Sequence, residues 1–184
     1  PLAIKTQIFD QLNDPQLALE LVQFNLEYNF LPTSGDSPFS NIKTQIDNAL
    51  EKLQKAAHKF GGRILPIGII PTLKEEHLGP KVITDLPRYH ALADGIRNLR
   101  GCDFEIDIDG QDPLSMTWAD VTPEGANTSF QFHYRVPPKE FADSFNAAQL
   151  VSPLILALGA NSPTFLGHRL WQETRIALFK QSID

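Results

Sequence analysis

A single cysteine, Cys102, in 184 residues rules out an internal disulfide and any zinc site built on cysteine thiolates. Cationic excess is also missing: 16 Lys and Arg stand against 22 Asp and Glu, a formal net charge of −6. Without that excess, non-specific binding to nucleic acid has no electrostatic source, although a local basic pocket could still take a small anion. The longest apolar run, LVSPLILALGA, is too short to cross a bilayer and contains a proline. No secretory signal precedes the first element. These absences lead us to expect a cytoplasmic chain with neither a membrane nor a nucleic-acid partner. Gly-rich phosphate loops of the P-loop and dinucleotide types are absent, as is GxSxG, so neither of those nucleotide cradles nor serine hydrolase chemistry has support. His58, His77, His90 and His168 show no ligand spacing with one another.

What remains is a composition suited to one globular domain spanning residues 1–184, with 42% hydrophobic and 21% charged residues. The chain opens on Pro1 and has a single methionine, Met116, and its last patterned segment has no terminating glycine or proline. These features lead us to expect an internal piece of a longer protein.

Period-two and period-3.6 patterns alternate along the chain. ELVQFNLEYNF, from Glu20 to Phe30, reads as a strand with Gln23, Asn25, Glu27 and Asn29 on its polar face. Ile42, Ile46, Ala49, Leu50, Leu53, Ala57 and Phe60 mark a long amphipathic helix, with Ser37 placed to cap it, Pro38 at its first turn and Gly61-Gly62 at its end. RILPIGII reads as a buried strand, and RYHALADGIRNLRG as a helix after Pro87. FEIDIDG and LSMTWADV read as paired strands.

TSFQFHYRV, Thr128 to Val136, reads as a strand with Phe130, Phe132, Tyr134 and Val136 on one face and Ser129, Gln131, His133 and Arg135 on the other. A wide apolar arc over residues 139–158 predicts a core helix, and WQETRIALFK a last helix. The pattern predicts an α+β fold with a curved, mainly antiparallel sheet and helices packed on one face.

If the polar faces of the two strands share one concavity, Glu27 and His133 could hold a divalent cation, with amides and Arg135 around them. A solvated polar sheet face gives the same alternation. Arg88, Arg169 and Arg175 are candidate anion ligands, since guanidinium forks match carboxylate and phosphate. Alternatively, Arg169 pairs with Glu173 four residues along a helix, and Arg88 is simply exposed.

The ordered set FNLEYNFLP, AAHKFGGRILPIGIIPT, LPRYHAL, TSFQFHYRVP and ALGANSPTFLGHRLWQETR resembles the glutamate–cysteine ligases of the second type, also called carboxylate-amine ligases. The likeness runs from about Leu19 to Phe179. It implies a catalytic domain like that of glutamine synthetase, with an antiparallel sheet curved around a funnel. It also implies ATP as co-substrate, Mg2+ as cofactor, and conversion of a glutamate or similar γ-carboxylate into an acyl phosphate that an amine such as cysteine attacks, the first step towards glutathione. By position the resemblance makes Glu27 a magnesium ligand and sets His133 beside metal and nucleotide, with Gln131 and Arg135 as its neighbours. It makes Arg175 a catalytic phosphate or substrate contact, and matches Arg88 and Tyr89 to an RY pair.

Three departures stand out. The E-x-E strand expected before Glu27 is absent, Gly68-Ile69-Ile70-Pro71 stands where many members read GTHP, and Gln131 replaces the first histidine of HVH. The isolated piece is therefore expected to have little activity. The competing expectation is a non-catalytic module that binds nucleotide or amino acid on the same scaffold. An incomplete sheet would leave an edge that invites a homo-oligomer.

Overall fold

The structure is a computed structural model and describes residues 1–183. It opens on helix α1 (Lys5–Leu12). Ile4, Ile8, Phe9 and Leu12 recur on one side and pack against helix α2 (Pro38–His58) around Ile8, Leu17, Leu53, Ala56 and Ala57. Asn13 closes α1 in the left-handed region at φ 43°, where asparagine is among the few tolerated residues, and its N–H donates to the Phe9 carbonyl. Pro38 opens α2 as predicted, but the Ser37 hydroxyl makes no cap; its carbonyl accepts the Asn41 N–H instead.

Between these helices lie β1 (Leu17–Leu19) and β2 (Leu26–Tyr28), an antiparallel pair with Ala18 opposite Glu27. The strand expected over residues 20–30 is thus confined to three residues. Gln23 and Asn25 turn inward as backbone partners: Gln23 Nε2 donates to the carbonyls of Lys81 and Ile83, and buried Asn25 Nδ2 to that of Gly125 at 2.7 Å.

Helix α3 (Pro87–Arg100) ends on Gly101 at φ 73°. The predicted hairpin follows as β3 (Phe104–Ile108) and β4 (Leu114–Trp118), in register from Phe104 opposite Trp118 to Ile108 opposite Leu114. Its inward residues Phe104, Ile106 and Ile108 are each about 1% exposed, so the alternation read from the sequence is the alternation of burial. The short helix α4 (Thr122–Gly125) comes next, and α5 (Phe141–Gly159) after it. A small hairpin of β5 (Thr164–Phe165) and β6 (His168–Arg169) leads to α6 (Arg175–Gln181). Ile69, Ile106, Ile108, Phe165 and Leu178 centre the largest core cluster.

Three sequence expectations are corrected here. Among the described residues the curved sheet is replaced by three separate two-stranded antiparallel sheets within a mixed helix-and-strand fold. RILPIGII is not a strand: only Gly68 and Ile69 within it are buried, and its backbone contact with TSFQFHYRV is confined to Thr128. TSFQFHYRV itself forms no strand, since alternation specifies two faces without supplying the neighbour whose backbone completes a ladder.

Helix α5 forms where the pattern placed a helix, but it is exposed along its length, with Leu150, Leu154 and Leu158 all more than half accessible. Counted from Pro138 to Gly159, this span of 22 residues is long and apolar enough to cross a membrane, with none of its apolar window buried. The apolar run LVSPLILALGA makes up only the later half of this span.

Candidate functional site

Two places gather the residues that chemistry would need. The first is the rim of the β1–β2 pair. Ala18 faces Glu27 across the ladder, so Glu20, two residues beyond Ala18, falls on the same side and diagonal to Glu27. The two carboxyls lie within hydrogen-bonding reach, and burial, followed by the hydrogen bond to Glu27, raises the Glu20 pKa.

Glu124 on α4 is brought up behind them. Asn25 grips the Gly125 carbonyl, and Gly125 has no Cβ because Val22 Cγ1 fills that space. Asp120 fixes the other end of α4, its Oδ1 accepting the Thr122 N–H at 2.8 Å. Burial, reinforced by the negative charge of Glu20, pushes the Glu124 carboxyl up to about 7.

Cations border this acidic group. Lys5, about 2% exposed, donates to the carbonyls of Glu20 and Val22 and to the Thr84 hydroxyl. Burial lowers its pKa to about 8, against the opposing pull of Glu20. Arg88 Nη2 donates to the Leu19 carbonyl at 2.7 Å and to the Tyr89 hydroxyl at 2.6 Å, with its guanidinium 4.5 Å from the Tyr89 ring centroid. Burial, with Glu20 next, raises the Tyr89 pKa. Arg88 is therefore tied to the strand that leads into Glu20, rather than free on a helix surface.

The second place is a clamp around Arg175 at the start of α6. Its Nε and Nη2 donate to the two oxygens of Glu173, the latter at 2.8 Å, and its Nη1 donates to the Thr128 carbonyl. The Ser162 hydroxyl also donates to Glu173, which is only 7% exposed. Arg175, followed by the buried hydroxyl, holds the Glu173 pKa below the usual carboxylate range, with burial opposing. The expected Arg169–Glu173 pair is absent. Arg169 instead takes Asp112 in a two-pronged bridge, with Nε–Oδ2 2.5 Å and Nη2–Oδ1 2.9 Å, because β6 lies against the β3–β4 turn.

Gln131, His133 and Arg135 lie on the exposed segment that leaves Thr128. No hydrogen bond or ion pair joins His133 to Glu27, and among the described residues no three His, Cys, Asp or Glu side chains are grouped to hold a metal. The carboxylate beside Glu27 is Glu20, which the alternation of the sequence does not single out. A single strand through residues 20–30 puts Glu20 on the apolar face, whereas the turn at Gln23 and Phe24 places it at the end of the partner strand β1.

The family model of glutamate-cysteine ligase family 2 matches residues 4–184 of the chain. No curated protein and no solved structure matches it.

Proposed function

The chain belongs to glutamate-cysteine ligase family 2, which implies ATP-dependent carboxylate–amine ligation, and from this premise we propose that it serves the joining of a glutamate-like γ-carboxylate to an amine such as cysteine. The observation that carries the proposal is the Glu20–Glu27 pair, two carboxyls facing each other with a raised Glu20 pKa at the edge of a partly buried acidic group. Two carboxylates this close repel one another when both are ionised, and a cation between the partly buried Glu20 and the exposed Glu27 would relieve that repulsion.

The donor set consists of oxygen alone, which suits magnesium, an ion that takes one or two carboxylates and completes its shell with water and phosphate. Glu20 and Glu27 would hold it. Bound there, the ion would neutralise charge on the nucleotide phosphates. Arg88, held against Leu19 and Tyr89, supplies a fixed positive charge beside the pair for the substrate carboxylate. Gln131, His133 and Arg135 supply donors for the nucleotide from the segment that begins at Thr128. The γ-carboxylate attacks the terminal phosphate, ADP leaves, and the amine then displaces phosphate from the acyl carbon.

The test uses the full-length chain with glutamate, cysteine, ATP and magnesium, following release of ADP and phosphate. Turnover is expected to need both the carboxylate and the amine, and to fall with Glu27→Ala or His133→Ala while unfolding midpoints hold. Nucleotide binding without turnover across a panel of amino acids and amines would replace the ligase with a binding module. Unchanged turnover in both variants would remove the site assignment.

A further inference from the structure

Four stretches of the chain, around Gly68, Thr128, Ser162 and Glu173, meet at Arg175. Thr128 donates its N–H to the Gly68 carbonyl at 2.9 Å and its hydroxyl to the Ile67 carbonyl, while its own carbonyl accepts from Arg175 Nη1. Ser162, whose backbone bridges Glu173 in parallel, donates its hydroxyl to Glu173 and accepts the Arg175 N–H at 3.3 Å. A Cβ on Gly68 would stand 2.8 Å from Arg175 Nε, 2.9 Å from its Cζ and 2.6 Å from Asn161 Oδ1, so the guanidinium lies where only glycine leaves room. Gly68 is not in the left-handed region, so space rather than backbone strain keeps it glycine.

Arg175 is thus oriented by a two-pronged buried carboxylate on one side and aims its remaining arm at one carbonyl on the other. That carbonyl belongs to the last backbone-bonded residue before the unpaired stretch 129–136.

We propose that Arg175 is a positioning residue: Glu173 and Ser162 hold its guanidinium so that it fixes Thr128 and sets the direction in which Gln131, His133 and Arg135 leave the core. A guanidinium with Nε and Nη2 committed to Glu173 and Nη1 to a backbone carbonyl is poorly placed to receive a phosphate, whereas as a strut it uses its rigid fork fully. The role of the three side chains in nucleotide binding rests on the ligase reading; the strut does not.

Two substitutions reach the clamp by independent routes. Glu173→Gln removes the charge and one acceptor, and Gly68→Ala places a methyl against the guanidinium. Each is expected to speed exchange of the Thr128 amide roughly tenfold or more, while amides of β3 keep their protection, because a charge-assisted bond is worth about one to two powers of ten. Arg175→Lys should do the same despite keeping its charge, and Ser162→Ala should give a smaller effect in a variant expected to fold.

In the full-length chain the KM for ATP should rise severalfold in Glu173→Gln with the KM for the carboxylate unchanged. A merely structural lesion would lower kcat through the active fraction and leave both KM values alone. Unchanged Thr128 protection in Glu173→Gln, Gly68→Ala and Arg175→Lys overturns the strut whatever the catalytic result. If the wild-type chain shows no ATP turnover the ligase reading fails, and amide exchange still decides the strut.

Discussion

Glu124→Gln isolates the cost of the buried acidic group. The folded chain holds the Glu124 carboxyl at about 7 against an ordinary 4.5, first through burial and then through Glu20. A folded-state pKa above the unfolded one means that, between pH 4.5 and about 7, the folded chain binds more protons than the unfolded chain. Stability from this group therefore falls as pH rises through that window, and the whole cost is present above it. At about 1.4 kcal/mol per pH unit the interval corresponds to about 3 kcal/mol.

Glutamine keeps the shape and cannot ionise, so the variant should match wild type near pH 4 and exceed it by up to about 3 kcal/mol at pH 8, or roughly 6–12 °C in Tm for a chain of this size. Urea unfolding at both pH values, with unchanged m, measures the difference. Adding Glu20→Gln should shrink the pH 8 gain, because Glu20 contributes part of the repulsion. Equal gains at pH 4 and pH 8 would refute the reasoning, since a gain independent of protonation would come from packing.

Gly125→Ala would press a methyl into Val22, a fully buried side chain with no flexible end to yield, and should cost about 1–3 kcal/mol in denaturant unfolding. Leu178→Ala, in the core against β3, should cost about 2–5 kcal/mol, whereas Leu154→Ala on exposed α5 should stay within about 0.5 kcal/mol. A large loss from Leu154→Ala would mean that α5 is packed in solution.

Elements carrying their own punctuation were legible in the sequence. Helices α2 and α3 announce themselves by proline at the first turn and a glycine just past the end, and the β3–β4 pair by alternation that matches burial residue for residue. Features that depend on a partner were not legible. The faces of TSFQFHYRV are visible in the sequence, but its ladder requires a neighbouring backbone that, among the described residues, is offered only at Gly68. The apolar arc of α5 states a preference for burial and names no surface to satisfy it.

Within the candidate site, Glu27 and Arg88 could be picked out by type, whereas Glu20 was hidden by a change of strand phase and Glu124 by distance along the chain. The Glu173–Arg175 pair does not show in a helical pattern, where side chains two apart diverge. Glu173 precedes α6, so that rule does not bind it.

The central claim is that an acyl phosphate links ATP hydrolysis to amide formation. Its most direct test supplies the full-length chain with glutamate labelled with oxygen-18 in the γ-carboxyl, together with ATP, magnesium and cysteine. Attack of the carboxylate on the terminal phosphate, followed by displacement by the amine, leaves one labelled oxygen on each inorganic phosphate released. Phosphate carrying that label, formed only when the amine is present and in step with the amide, is the predicted result; unlabelled phosphate would contradict the account.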